Sequence, residues 1–136
     1  MGHGCNYRNK ETDTKAFWIE VDDPDDEFGV EMMLDDLRYE FEQLGYEVDD
    51  NSGNLIYYNG LGKIELETTY DSGGIVVRLE PAFIPDFWSE PEVTARYNLF
   101  MANHERMYNR IKRHFLNAGY NLRIATSGYT STQITS

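Results

Sequence analysis

Apolar residues recur at two different spacings along the chain, and these spacings separate predicted helices from predicted strands. A spacing of three and four residues marks one face of an α-helix, whereas strict alternation marks a β-strand with one buried face. Residues 15–21 (KAFWIEV) are rich in aromatic and β-branched side chains, which favours a first strand. The run 22–27 (DDPDDE) ends that strand, and its acids suit the first turn of a following helix.

Two amphipathic helices are predicted from the helical spacing. The stripe of the first is Val30, Met33, Leu37, Phe41 and Leu44, and that of the second is Val93, Tyr97, Phe100, His104, Met107, Ile111, Phe115 and Ala118. Gly45 and Gly119 follow the stripes, and glycine suits the left-handed position just past a helix. The endings Met33–Tyr46 and Met107–Tyr120 match at an offset of 74 residues, which convergence explains more simply than duplication. The second helix, over residues 92–118, is long enough either to break near its middle or to project beyond the sheet.

The chain between the helices predicts an antiparallel meander. Residues 54–58 are strand-like, and Asn59–Gly60 is a strong hairpin signal whose loop length the sequence leaves open. Residues 63–67 and 75–80 alternate apolar with polar side chains, which predicts two half-buried strands joined by a turn. The segment 122–134 can then form a closing strand or hairpin.

The element order β-α-β-β-β-α-β predicts an α+β two-layer sandwich, with two helices on one face of a mainly antiparallel sheet. Residues 1–13 are polar and contain glycine, so we expect a flexible arm followed by a single domain over residues 14–136. A chain of 136 residues can bury one core without metals or disulfides. Cys5 is the only cysteine, and no apolar run approaches the roughly 20 residues that span a bilayer, so we expect a cytoplasmic protein.

Negative charge is concentrated in one part of the chain. The region Glu20–Asp50 holds fourteen carboxylates against one cation, Arg38, which gives −13 in a chain whose net charge is −12. Binding to phosphates requires clustered Lys and Arg, so this balance argues against direct contact with nucleic acid or with an anionic membrane surface. It favours a basic protein surface as the partner.

The first helix carries five carboxylates that lie off its apolar stripe: Glu27, Glu31, Asp35, Asp36 and Glu40. Like charges at i,i+4 cost an isolated helix a few tenths of a kcal/mol each, so the arrangement does not serve helix stability. The acids from Glu27 to Glu42 are spaced at about 3.7 Å along the axis, close to the roughly 3.4 Å between phosphates of one DNA strand. The helix therefore fits an inhibitor or DNA mimic, although a solvated acidic face is the simpler explanation.

A further interpretation of the acidic helix is pairing with the basic second helix, either in the same molecule or across a homodimer. The cations available on that helix are Arg96, Arg106, Arg110, Lys112 and Arg113. Opposite charges on two helices attract each other in either arrangement, so the sequence does not distinguish between them.

Metal and cofactor chemistry finds little support in the sequence. His104 opens the motif HERMY, but a zincin helix needs a second histidine where Tyr108 stands, so we expect His104 to be an interior residue. His3 and Cys5 supply two ligands, whereas a structural zinc site takes four. The acids of residues 22–26 lack the EF-hand spacing. We therefore expect no metal and no cofactor.

The leading functional hypothesis is a non-enzymatic protein that binds a basic partner through Glu20–Asp50. Its aromatic anchors are expected in a Pro-bounded loop and are Phe83, Phe87 and Trp88. Trp88 also fits the hydrophobic staple that would precede the second helix, next to a capping box at Ser89.

The alternative hypothesis is a small carboxylate-based or metal-dependent hydrolase that uses Glu65 and Glu67. These carboxylates lie about 6–7 Å apart along one strand face, a separation that suits divided acid and base roles or a shared cation. Lys63, Arg78 and Glu80 are expected on the same face, so solvent-facing ion pairs explain the two glutamates more simply. A cleft lined by both carboxylates would favour the hydrolase, and a convex acidic surface would favour the binding protein.

Overall fold

The computed structural model describes residues 14–21, 26–51, 54–71, 74–83, 90–126 and 129–134. Within these residues the chain forms seven strands and three helices. In chain order they are β1 (Lys15–Glu20), α1 (Asp26–Asp36), α2 (Arg38–Gln43), β2 (Glu47–Asn51), β3 (Asn54–Asn59), β4 (Gly62–Asp71), β5 (Gly74–Phe83), α3 (Glu90–Asn117), β6 (Leu122–Thr126) and β7 (Tyr129–Ile134).

The strands form one sheet in the order β2-β3-β4-β5-β1-β6-β7, and each neighbouring pair is antiparallel. The first strand, β1, lies inside the sheet between β5 and β6. The segment α1–α2 carries the chain from β1 to the edge strand β2, and α3 carries it from β5 to β6. The predicted α+β fold with a mainly antiparallel sheet is confirmed.

Alternate residues of the central strands form the core beneath the helices. Phe17 of β1 lies opposite Val77 of β5, and Ile19 lies opposite Ile75; all four are fully buried. Ile64 of β4 is also fully buried. The alternation predicted for β4 and β5 is therefore confirmed, because the apolar member of each pair of positions is the one that faces the core.

The first predicted helix is present but is interrupted at Leu37. The amide of Leu37 donates to the carbonyl of Leu34, three residues back, at 3.2 Å, and the helix resumes as the amide of Phe41 donates to the carbonyl of Leu37 at 3.0 Å. Val30, Leu34, Leu37 and Phe41 are buried. The predicted stripe is wrong at Leu44, which is 69% exposed, because the helix ends one residue earlier and the helical repeat stops with it.

The second predicted helix is continuous over the 28 residues of α3. Its stripe is buried at Phe100, His104, Met107, Ile111 and Phe115, whereas Ala118 lies past the end of the helix and is exposed. The Nε2 of His104 donates to the carbonyl of Leu79 at 3.3 Å, so the expected interior role of this histidine is confirmed. No helix in the described part of the chain is both long enough and apolar enough to cross a membrane.

The segments α2 and α3 end in the same way, as their matching sequences suggest. Gly45 and Gly119 have φ angles of 99° and 93°, which confirms the left-handed position expected for both. The amide of Tyr46 donates to the carbonyl of Phe41 at 3.2 Å, and the amide of Tyr120 donates to the carbonyl of Phe115 at 3.1 Å. Each phenylalanine also packs edge-on against the tyrosine of its segment, with ring centroids 6.4 and 5.3 Å apart. Both ends are Schellman motifs with their usual apolar contact.

The strand β2 is not predicted by the sequence pattern. It contains one apolar residue, Val48, which lies opposite Tyr57 of β3. Because β2 is at the edge of the sheet, its acidic side chains remain in solvent and discourage pairing with another chain. An edge strand of this kind lacks the alternation by which the other strands are predicted.

The β3–β4 hairpin has a two-residue loop of Gly60 and Leu61, since Asn59 lies opposite Gly62 in the register. The Oδ1 of Asn59 accepts hydrogen bonds from the amides of Leu61 at 2.9 Å and Gly62 at 3.3 Å. The Asn-Gly signal therefore marks the hairpin correctly, and the side chain of Asn59 caps the turn.

Several sequence predictions fall outside the described residues. They are the arm of residues 1–13 with His3 and Cys5, the acids of residues 22–25, and the capping-box residue Ser89. Residues 122–126 and 129–134 of the closing segment are described, and they form the antiparallel strands β6 and β7.

We predict that Phe41→Ala and Phe115→Ala each lower the free energy of unfolding by roughly 3–5 kcal/mol. Both rings are buried, at 2% and 0% exposure, so removing either leaves a cavity that the rigid sheet beneath it cannot fill. Denaturant titration measures the change. A loss below about 1 kcal/mol at either position would contradict the burial described above.

We predict that Gly45→Ala and Gly119→Ala each lower the free energy of unfolding by about 1 kcal/mol, because an L side chain at positive φ is strained. Gly60→Ala is the matched control. A Cβ has open space at all three positions, but Gly60 does not have a positive φ. Equal effects of the three substitutions in denaturant titration would exclude left-handed strain as the cause.

Candidate functional site

Four of the five predicted carboxylates of α1 and α2 have described side chains, and these four divide into two groups by the direction they face. Glu31 and Asp35 are exposed and line a groove between α1 and the strands. Asp36 and Glu40 lie against α3. The side chain of Glu27, the fifth predicted acid, lies outside the described part of the structure.

Glu40 binds Arg110 of α3 through two hydrogen bonds. The Nε of Arg110 donates to Oε2 at 2.7 Å, and its Nη2 donates to Oε1 at 2.9 Å. These hydrogen bonds are the main reason that the pKa of the Glu40 carboxyl lies below its usual value, and burial opposes them. The Oδ2 of Asp36 lies 3.6 Å from the Nε2 of His114, which is also on α3. Pairing between the acidic and basic helices therefore occurs within one chain at Glu40 and Arg110.

An acid-rimmed groove of about 360 Å³, here called the acidic groove, lies between α1 and the strands β2, β3 and β4. Its rim carries Glu31, Asp35 and Asp50, which are exposed, and its floor is formed by Leu34, Leu55 and Leu66, which are buried or half-buried. Arg38 is the cation that approaches this rim, with its Nη1 3.8 Å from Asp35. Exposed pairs at that distance are weak, so the rim remains strongly negative.

An exposed apolar row, consisting of Phe28, Met32 and Tyr39, runs along the outer side of α1 and α2. The exposed fractions of the three residues are 67%, 55% and 70%. Met32 also lines the acidic groove, so the row and the groove form one continuous surface. Large apolar side chains at such exposure, next to carboxylates, are typical of protein-binding surfaces.

Sequence reasoning missed the apolar row, although the sequence contains a signal for it. Phe28 and Met32 are four residues apart and therefore share one side of the helix. That side is not the one marked by Val30 and Leu37, which are buried. A second apolar pair off the buried stripe indicates a face that is apolar and exposed at once.

Of the three predicted aromatic anchors, the one that the structure describes does not join this surface. Phe83 is a core residue at 2% exposure, with its ring 5.3 Å from that of Tyr97 and 5.8 Å from that of Phe100. It is buried because β5 extends to Phe83, whereas the sequence suggested an exposed loop there. Phe87 and Trp88 lie outside the described residues.

Glu65 and Glu67 lie on β4, off the core face, as the alternation predicts. The Nη1 of Arg78 on β5 donates to the Oε1 of Glu67 at 3.2 Å, and Glu65 lies opposite Glu80 in the register. The acidic groove is lined by neither glutamate. Among the residues that the structure describes, no group of three or more His, Cys, Asp or Glu side chains is placed to hold a metal ion. The contact between Glu67 and Arg78 is an ion pair of the kind expected for this face.

Comparison with known proteins does not assign a function to these features. No protein-family model, no curated protein and no solved structure matches the chain. The charge, exposure and shape of the acidic groove and the apolar row are therefore the features from which a function is inferred.

We predict that Glu40→Gln lowers the free energy of unfolding at pH 7 by about 1 kcal/mol, because it removes the charge from a two-bond but partly exposed ion pair. The folded-state pKa of Glu40 is depressed, so its contribution is present above the ordinary value of 4.5 and is lost as the pH falls through the lowered value. Wild type and variant should therefore converge in acid.

Glu42→Gln is the matched control for this prediction, since Glu42 is an exposed carboxylate two residues away. Both substitutions remove one negative charge, so general relief of repulsion is the same in both. Denaturant titrations at pH 7 and in acid measure the difference. Equal unfolding free energies for the two variants at pH 7 would show that the Glu40–Arg110 pair does not stabilise the fold.

Proposed function

We propose that the protein is a non-enzymatic binding protein that takes a basic protein partner on the acidic groove and the apolar row. The observation that carries the proposal is the combination of three exposed carboxylates with an apolar floor in one groove. Lysine and arginine side chains have the complementary form, with an aliphatic stem and a cationic head.

A basic side chain of the partner would lay its stem over Leu34 and Leu66 and place its cation between Asp35 and Asp50. An exposed ion pair contributes roughly 0–1 kcal/mol, so the carboxylates alone do not hold a complex. Their main effects are to orient the partner and to raise its association rate, since complementary charges steer encounters. The affinity must therefore come from apolar contact beside the groove.

The apolar row supplies that contact. Full burial of a side chain such as Phe28 or Met32 contributes roughly 1.5–3 kcal/mol, and a few residues of this kind dominate most interfaces. Phe28 and Met32 are more than half exposed before binding, so most of this gain remains available to a partner.

The finer form of the proposal is an inhibitor that imitates the charge of nucleic acid towards a basic protein. It is supported by exposed carboxylates on α1 and on the side of the edge strand β2 that faces α1: Glu31, Asp35 and Asp50. Asp36 and Glu40 do not take part, because they face α3. The net charge of −12 repels phosphates, so the same proposal includes no direct contact with nucleic acid or with an anionic membrane.

A cytoplasmic location and a homodimer are further parts of the proposal that rest on composition. The single Cys5 favours a reducing compartment. A homodimer would place the acidic α1 of one copy against the basic α3 of another, and it competes with the Glu40–Arg110 pairing inside each chain.

We predict that Glu31→Lys combined with Asp35→Lys reduces capture of the partner at least tenfold when the tagged full chain is used as bait in an extract of the source organism. Both residues are exposed on the rim of the acidic groove, so the fold should be retained. Quantitative mass spectrometry compares the captured proteins with those of the wild type. The proteins lost should be basic, and their association rates should fall less steeply with salt for the variant than for the wild type.

Glu92→Lys combined with Glu105→Lys is the matched control, because both are exposed carboxylates on α3 and the change in net charge is the same. Phe28→Ser tests the apolar row separately, and it should lose the same proteins while the unfolding free energy stays within about 0.5 kcal/mol. The proposal is wrong if the acidic-groove variant captures the same proteins as the wild type, or if both charge-reversed variants lose them equally.

A further inference from the structure

A second groove, of about 290 Å³, lies where α2 meets α3 and the β3–β4 hairpin, and we call it the donor groove. Its apolar wall is formed by Phe41, Leu44 and Met107. Leu44, at 69% exposure, is one of the most exposed large apolar residues of the described chain. The groove shares no lining residue with the acidic groove, so what it binds does not depend on the function proposed above.

Asn59 lines the donor groove, and its side-chain amide retains hydrogen-bonding capacity. Its Oδ1 already accepts hydrogen bonds from the amides of Leu61 and Gly62 in the hairpin turn. The Nδ2, which carries two hydrogens and accepts nothing, is therefore the atom left for a ligand. The hairpin turn thus fixes the orientation of this side chain before any ligand arrives.

The positive charge of the donor groove comes from Arg106. Within the described ranges no carboxylate lies at ion-pair distance from Arg106, whereas the charge of Arg110, the other arginine of the groove, is compensated by Glu40. The groove therefore carries one uncompensated cation. Arg106 is close enough to Tyr46 to lower the pKa of its hydroxyl, against the stronger effect of burial, which raises it. Tyr46 therefore stays protonated at neutral pH and can donate.

We propose that the donor groove binds a small organic carboxylate with an apolar body. The guanidinium of Arg106 takes the carboxylate, the Nδ2 of Asn59 and the hydroxyl of Tyr46 complete its hydrogen bonds, and Leu44 and Met107 cover the apolar body. Arginine suits this role because its planar fork of donors matches the two oxygens of a carboxylate. A volume of about 290 Å³ is at the lower end of small-molecule pockets, which limits the ligand to a small molecule.

A single uncompensated cation selects a monoanion. A phosphate group carries more charge and is normally bound by several cations or a row of backbone amides, which the lining of this groove does not supply. A neutral ligand of the same shape leaves the Arg106 charge without its partner. The discrimination between a carboxylate and its amide is therefore the property that tests the proposal.

The test uses 3-phenylpropionate as the probe and 3-phenylpropanamide as its neutral counterpart. Both are titrated into the ¹⁵N-labelled full chain at pH 7, and backbone amide shifts report the binding site and the dissociation constant. We expect the carboxylate to shift the amides around Leu44, Asn59 and Arg106 and to bind at least tenfold more tightly than the amide. Equal affinities for the two compounds, or no binding of the carboxylate at millimolar concentration, would overturn the proposal.

Arg106→Gln should weaken binding of 3-phenylpropionate at least tenfold and leave binding of 3-phenylpropanamide unchanged. Arg113→Gln is the matched control: Arg113 is an exposed arginine of the same helix that does not line the groove, and its loss should change neither affinity. Denaturant titration of both variants verifies that the fold is retained. An unchanged carboxylate affinity in Arg106→Gln, or an equal loss in Arg113→Gln, would refute the role given to Arg106.

Discussion

The burial of Phe41 and Phe115 against one face of the sheet is the interaction on which the rest of the structure depends. The ring of Phe41 lies 5.3 Å from that of Tyr57 on β3, and the ring of Phe115 lies 5.9 Å from that of Phe17 on β1. Each phenylalanine also forms the last apolar contact of its helix, just before a left-handed glycine. The two helix ends are therefore held at defined places on the sheet, and α2 and α3 come to lie side by side.

The directions of the acidic side chains follow from that placement. Once α2 is fixed against α3, one side of the acidic segment faces α3. Glu40 lies there and binds Arg110, and Asp36 lies there close to His114. The remaining side of α1 has no helix beside it, so Glu31, Asp35 and Phe28 stay exposed. A net charge of −12 would favour expansion of the chain through self-repulsion, and the pair of Glu40 with Arg110 offsets part of that repulsion across the two helices.

The part of the fold that could be predicted from the sequence is the part in which burial alone decides the outcome. The alternation in β4 and β5 and the glycine-ended helices belong to it, because each buried position must be apolar. The strand β2 could not be predicted, since its single apolar residue, Val48, gives no period. Leu44 and Phe83 were misplaced for a related reason: apolar spacing does not show where a helix stops or how far a strand continues. For the candidate site, Glu31 and Asp35 were found from charge, whereas the leucines beneath them become a groove floor only when α1 meets the strands.

The charges of the two grooves beside the α1–α2 segment act over different distances, because they differ in how far they are compensated by neighbouring charges. The acidic groove belongs to a field of many carboxylates, which reaches about one Debye length, roughly 10 Å at 0.1 M salt, and so biases which molecules approach. The field of Arg106 is overcome at that distance by the overall charge of −12. In contact the order reverses, because Coulomb attraction rises as two charges approach and screening weakens the repulsion from the more distant acids. The Glu40–Arg110 pair strengthens this contrast. The charges of Glu40 and Arg110 compensate each other, so Arg106 provides the remaining charge of the donor groove.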